Sequence, residues 1–374
     1  MGNPCRVIQI AKANARRPAI IAKAQSRHRE IRRLHRIVKV GAERQNIRRG
    51  RRGSGLRARG HGAIWGWKRQ RRNMASQESK FAQNPLWENR YWWSRDGVRL
   101  HARDYAPRDP ARAAGRPPIL CLPGLTRNAR DYEDVAARLS AEWRVLALNL
   151  RGRGDSGYAK DPMSYVPLVY VQDVEALLAD LGCDRYVAIG TSLGGIVTML
   201  LAGAAHEQLA GAVLNDVGPE IDPAGLARIR GYVGRSHTWP TWMHAARAVA
   251  DANRDVYPDY GTGDWLAMAK RLYRLNSAGR ILLDYDMKIA EPFRVPGNEA
   301  GPDMWRALDQ LRDRPVTIVR GEHSDIFSAD VAQRMAAALP DAELVTVPRC
   351  GHAPTLEEPV AAAAIDRLLA RIAA

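Results

Sequence analysis

The chain is short of cysteine, of long apolar runs and, over its first 73 residues, of acids. Four cysteines stand in 374 residues (Cys5, Cys121, Cys183 and Cys350), and their spacing fits neither a metal module nor a disulfide framework. Cys121 and Cys183 lie in or beside apolar segments, where a reduced thiol packs as a small hydrophobe. No stretch approaches the roughly 18 consecutive apolar residues of a membrane span, and the first 30 residues lack the apolar core of a secretory signal. These absences set the expectation of a soluble, cytoplasmic protein with no membrane partner. Acids are missing where bases crowd: residues 1–73 hold 22 Lys and Arg against Glu30 and Glu43 alone. The formal charge of the whole chain is +17, so the remainder is close to neutral.

That division separates a leader from a body. The leader, residues 1–73, has Arg runs (Arg48, Arg49, Arg51, Arg52; Arg69, Arg71, Arg72) and no apolar periodicity with which to build a core. An arm for nucleic acid and a targeting peptide both suit such a composition. The favoured reading is a third: with 49 Arg against 8 Lys, the leader reads as translated GC-rich DNA upstream of a native start at Met74. A nucleic-acid partner then enters only if the leader is native.

The body centres on Tyr186 to Gly195, YVAIGTSLGG. An apolar strand runs into an apolar helix through Gly190-Thr191-Ser192-Leu193-Gly194, a G-x-S-x-G motif. A strand that turns directly into a helix strains the residue at the turn and lifts its side chain clear, and glycines on either side let helix and strand approach. Ser192 is the lifted residue, and the Leu193 N–H at the helix start faces any negative charge forming there. Around this motif strands and helices alternate. Tyr91–Trp93 and Val98–Tyr105 predict an opening hairpin, and Ile119–Leu122, Arg144–Leu150, Gly211–Leu214, Val316–Val319 and Leu344–Val347 predict buried strands. The pattern implies an α/β fold, a mostly parallel sheet covered by helices on both faces. The alternation breaks over 218–312, which reads as a helical cap (Ala246–Asn253, Trp265–Leu275) inserted into a core of 74–217 and 313–374. Its aromatic residues, Trp239, Trp242, Tyr260 and Trp265 foremost, are candidates to wall an apolar pocket for a small-molecule substrate.

A serine hydroxyl needs a base, and the base a carboxylate to hold its tautomer. His352, in PRCGHAPTLEEP after the last strand, is positioned to reach the serine. Two acids compete to hold it: Asp325 in VRGEHSDIFS, which is preferred, and Asp216 in LNDVGPEI. No metal or organic cofactor is implied. The glycine-rich run Gly152–Gly157 formally matches a dinucleotide fingerprint, but YAKDPMSYVP follows it where a helix would have to open.

Together LPGLTRNARDYEDVA, NLRGRGDSG, GTSLGG, LNDVGPEIDP, RGEHSDIFS and GHAPTLEEP resemble the α/β-hydrolase superfamily over residues 88–374. The resemblance implies Ser192 as nucleophile, Asp325 as acid and His352 as base, in that chain order. It also implies a second oxyanion N–H from Leu125, although Pro123-Gly124 stands where many members have His-Gly. A serine at position 192 separates the chain from relatives that attack with Asp or Cys. What remains is acyl transfer from an ester or lactone to water, with hydrolysis of a C–C bond beside a carbonyl, or ligand binding without catalysis, as alternatives.

Overall fold

Runs of apolar residues too short for helices become the strands of the body. The computed structural model describes residues 86–204, 206–295 and 302–373. The chain divides into two units, Met1–Gln83 and Asn84–Ala374; the basic leader and the Met74 start fall outside the described residues. In chain order the second unit contains β1 (Glu88–Trp93), β2 (Arg99–Tyr105), α1 (Pro110–Ala113), β3 (Ile119–Leu122), a 3₁₀ turn (Ala129–Tyr132), α2 (Glu133–Leu139), β4 (Val145–Asn149), α3 (Pro167–Leu181), β5 (Tyr186–Thr191), α4 (Leu193–Ala204) and β6 (Leu209–Asn215). The insert follows, with α5 (Pro223–Tyr232), β7 (Thr238–Trp239), α6 (Trp242–Asn253), α7 (Thr262–Leu272), β8 (Tyr273–Leu275), β9 (Ile281–Leu283), a 3₁₀ segment (Met287–Arg294) and α8 (Met304–Asp309). Last come β10 (Val316–Gly321), α9 (Ala329–Ala338), β11 (Ala342–Val347) and α10 (Pro359–Ala373).

The main sheet has eight strands in the order β1-β2-β4-β3-β5-β6-β10-β11. β1 and β2 form the expected hairpin and β2 meets β4 antiparallel; from β4 to β11 every pairing is parallel. Side chains alternate between two apolar clusters because successive strand residues point to opposite faces. Leu120, Leu122, Ala188 and Leu214 join α3, α4 and α9 on one face. Ile119, Cys121, Val187, Ile189 and Val213 join α2 and α10 on the other. Each fully buried Leu, Ile or Val contributes about 1.5–3 kcal/mol over leaving it in water, which makes the central strands a rigid platform. All parallel strands end at one edge, so the loops after β3, β5, β6, β10 and β11 converge there, where open α/β sheets bind ligands.

The insert is not wholly helical. β7, β9 and β8 form a separate three-stranded antiparallel sheet in that order. The helix expected over Trp265–Leu275 ends at Leu272, and Tyr273–Leu275 pairs with Ile281–Leu283 instead. Asn276 explains the hairpin: its carboxamide oxygen accepts from the Ala278 and Arg280 N–H groups, and its N–H and Arg280 O close the ladder at 2.9 Å. α8 packs on the core, its Leu308 buried with α3 and α4.

Candidate active site

The elbow between β5 and α4 follows from backbone sterics. Ser192 takes φ +52°, the left-handed region that a non-glycine residue rarely adopts. The turn is so tight that a Cβ on Gly194 would lie 1.9 Å from the Leu122 carbonyl, and one on Gly190 2.4 Å from the Gly194 carbonyl; neither position admits a side chain. Three fixed contacts hold the strain. The Ser192 N–H donates to Asn215 O at 2.9 Å. The buried Tyr132 hydroxyl lies within 2.9 Å of Leu122 O and 3.2 Å of Ile189 O, and 2.7 Å from Thr191 Oγ1. Asn215 Nδ2 donates to Thr191 Oγ1 and to Pro354 O, 3.0 and 2.8 Å away, linking the elbow to the histidine loop.

His352 reaches the elbow from the loop after β11. Its Nε2 lies 3.1 Å from Ser192 Oγ and its Nδ1 2.8 Å from Asp216 Oδ2. Asp216 is fully buried; its second oxygen accepts from the Gly321 N–H at 2.8 Å, and its own N–H donates to Val319 O. The preference for Asp325 as the carboxylate beside His352 is therefore corrected: Asp216 occupies that place. Strand register supplies the reason. β5 and β6 pair Thr191 with Asn215, so Ser192 and Asp216 are the first residues beyond neighbouring strands. A positive φ of +54° at Asp216 bends the chain so that its carboxylate faces the histidine. Asp325 is exposed and held by Arg228 of α5, with Nε and Nη2 2.5 and 2.8 Å from its oxygens. Burial pushes the Asp325 carboxyl up, but the Arg228 guanidinium, with a smaller contribution from the nearby His352, outweighs it and holds the group below the usual carboxylate value.

The other expected residues gather unevenly. Leu193 opens α4, where first-turn N–H groups lack an intrahelical partner. The loop carrying Leu125 lies against the serine: a Cβ placed on Gly124 would sit 3.7 Å from Ser192 Cβ and 3.4 Å from Arg127 Cγ. Arg127 is paired with Asp131. Trp239, Trp242 and Tyr260 pack against the second apolar cluster and Trp265 is buried in it. Tyr260 stacks on Tyr257 with ring centroids 4.7 Å apart, and Trp265 meets Tyr257 edge-on at 6.3 Å and Tyr260 tilted at 5.0 Å. Tyr257, outside the expected four, is the aromatic that touches the histidine loop, its hydroxyl donating to Ala353 O at 2.7 Å. Sequence reasoning also passed over Tyr132 and Asn215, since a tyrosine in a loop and an asparagine at a strand end carry no signal until the fold brings their acceptors together. Among the described residues no three His, Cys, Asp or Glu are grouped to hold a metal ion, and no helix is long and apolar enough to cross a membrane.

An imidazole bonded to a hydroxyl on one side and a buried carboxylate on the other can take the hydroxyl proton while the carboxylate steadies the resulting cation. Residues 119–365 match the model of the alpha/beta hydrolase family. The crystal structure of an alpha/beta hydrolase from Novosphingobium aromaticivorans is 59% identical and superposes with a TM-score of 0.72, covering 76% of this chain and 99% of that one. The 3-hydroxybutyrate-oligomer hydrolase of Cupriavidus necator is 31% identical over 248 residues, 64% of this chain and 84% of that protein. The esterase Rv0045c of Mycobacterium tuberculosis is 26% identical over 258 residues, 67% of this chain and 82% of that protein.

Proposed function

Since the chain belongs to the alpha/beta hydrolase family, we propose that it is a serine hydrolase that cleaves a carboxylic ester or lactone through an acyl-enzyme. The observation that carries this reading is the continuous hydrogen-bonded line from Ser192 Oγ through His352 to the buried Asp216. Ser192 Oγ attacks the carbonyl carbon and passes its proton to His352 Nε2. The Leu193 and Leu125 N–H groups hold the oxyanion of the tetrahedral intermediate. His352 then protonates the departing alcohol, leaving the acyl group on Ser192. A water, deprotonated by the same imidazole, attacks the acyl carbon and restores the serine. Asp216 keeps the Nδ1 proton in place and favours the imidazolium. No cofactor takes part in these steps.

An ester substrate is supported further by the relatives. An oligomer of a 3-hydroxy acid is joined by ester bonds, and the mycobacterial relative is named an esterase. The aromatic cluster of Tyr257, Tyr260 and Trp265 beside the histidine loop supports an apolar acyl or alkoxy portion. The test is a screen of the full chain on p-nitrophenyl esters of increasing acyl length, a lactone set and 3-hydroxybutyrate oligomers, with Ser192→Ala beside it. Ester or lactone turnover that vanishes in Ser192→Ala is the expected result. Turnover confined to a vinylogous diketone would replace the ester reading with C–C hydrolysis. Failure of a fluorophosphonate to label Ser192 would remove the nucleophile assignment.

A further inference from the structure

The RGRG turn after β4 buries two arginines with opposite arrangements. Arg151 is clamped by two carboxylates, Asp96 at 2.9 Å and Asp173 at 2.6 Å, so its charge is neutralised. Arg153 is fully buried as well, yet among the described residues no carboxylate pairs with it. Its partners are weaker: Nε donates to Leu125 O at 2.9 Å, and Nη1 to Arg151 O at 2.6 Å and to the Tyr170 hydroxyl at 3.1 Å. The guanidinium also lies 5.1 and 5.6 Å from the ring centroids of Tyr170 and Tyr165. Nη2 is buried without a hydrogen-bond partner. A buried cation left unpaired is costly, and such a cost in a packed core points to function rather than stability.

The Leu125 carbonyl shows where that function lies. Leu125 is the residue whose N–H faces the elbow in the proposed reaction, and Arg153 grips its other polar group. The turn that carries Arg153 is itself fixed: its backbone bridges Tyr285 of the insert, and the neighbouring Gly154 N–H donates to Asp284 O at 3.0 Å. Resting on the ester-hydrolase reading, we propose that Arg153 is the positioning residue of the oxyanion site. Its fork sets the orientation of Leu125, and its charge, which no carboxylate contacts directly among the described residues, favours the negative tetrahedral intermediate over the neutral substrate. None of its hydrogen bonds reaches Ser192: it acts through the Leu125 peptide it grips and through the field of its charge.

The experiment compares wild type, Arg153→Met and Arg153→Lys for ester hydrolysis, for inhibition by an alkyl trifluoromethyl ketone, and for inhibition by the carboxylate product. The ketone binds as a hemiketal oxyanion, so it reads the oxyanion site, whereas KM and product inhibition read the ground state. Arg153→Met is expected to lower kcat about 10²-fold, the cost of a displaced or lost oxyanion donor. Ketone affinity should fall by the same factor, with KM and product inhibition within about threefold of wild type. Arg153→Lys keeps the charge but loses the fork, and should fall between the two. A folded Arg153→Met with kcat and ketone affinity unchanged would overturn the proposal. If Arg153→Met does not fold, Arg153→Lys decides: a loss of about tenfold in both readouts supports it, and wild-type values overturn it. Equal losses of ketone and product affinity would make Arg153 merely structural and also overturn it. A wild type that neither hydrolyses esters nor binds the ketone overturns the function itself, and this inference with it, an outcome distinct from an active wild type with an indifferent Arg153→Met.

Discussion

Exchange of single carboxylate oxygens for amides should separate the two aspartates at the site. Asp216 accepts through Oδ1 from the Gly321 N–H and through Oδ2 meets His352 Nδ1. In Asp216→Asn the amide oxygen can keep Gly321, which leaves the NH2 group facing Nδ1. An amide donates there, so the imidazole must carry its proton on Nε2, the nitrogen that has to accept from Ser192. The fold survives while the tautomer is wrong, and the loss expected for a Ser-His-Asp arrangement is about 10⁴-fold in kcat, or about 5.5 kcal/mol at 1.36 kcal/mol per decade. Asp325→Asn disturbs an exposed pair with Arg228 and should leave kcat within about threefold, exposed pairs being screened and weak. The assay is steady-state hydrolysis of a p-nitrophenyl ester, with thermal melting of each variant as the control for folding. The reasoning fails if Asp325→Asn loses more than about 100-fold while Asp216→Asn stays within tenfold of wild type.

Ser192→Ala should lower turnover by about 10⁴-fold or more and abolish fluorophosphonate labelling, since the remaining groups have no nucleophile to activate; more than a tenth of wild-type activity would remove Ser192 from the mechanism. Gly194→Ala places a methyl against the Leu122 carbonyl and should cost about 3 kcal/mol or more of stability, measured by urea unfolding. Tyr132→Phe strips the hydroxyl that ties β3, β5 and Thr191 together, with an expected loss of about 1–3 kcal/mol in the same assay; an unchanged midpoint would show the clamp to be dispensable. Burial pushes the Cys350 thiol up to about 12 and raises Cys121 as well. At pH 8 the Cys350 thiolate is then roughly one part in 10⁴, so N-ethylmaleimide should leave ester hydrolysis intact, and rapid inactivation would contradict that burial.

Ser192 and His352, the proposed nucleophile and base, could be picked out from residue order because each is marked locally. Glycines at 190, 194 and 195 around a serine announce a turn that only close backbone packing requires, and His352 stands alone in a loop between a strand and a helix. The carboxylate that contacts His352 was not marked in this way. Asp216 and Asp325 both follow buried strands, and the choice depends on register across three strands: Asp216 is the first residue past β6, alongside Ser192 past β5, whereas Asp325 lies six residues past Val319, the last residue of β10 paired with β6. Its carboxylate meets an arginine from a helix about a hundred residues earlier in the chain. The insert shows the same limit, because the apolar and basic residues around Tyr273 suit a helix until Ile281–Leu283 offers them a ladder.

Hydrophobic period, turn chemistry and the order of Ser192 and His352 are properties of neighbours in the chain, and the sequence by itself determined them: a mostly parallel sheet, an elbow, a serine and a histidine at one edge. Only the tertiary structure decided which carboxylate serves the histidine, which tyrosine clamps the elbow and which buried arginine holds Leu125. Those outcomes rest on contacts between residues far apart in the chain, where a hydrogen bond exists only if two strands or loops end within about 3 Å of each other.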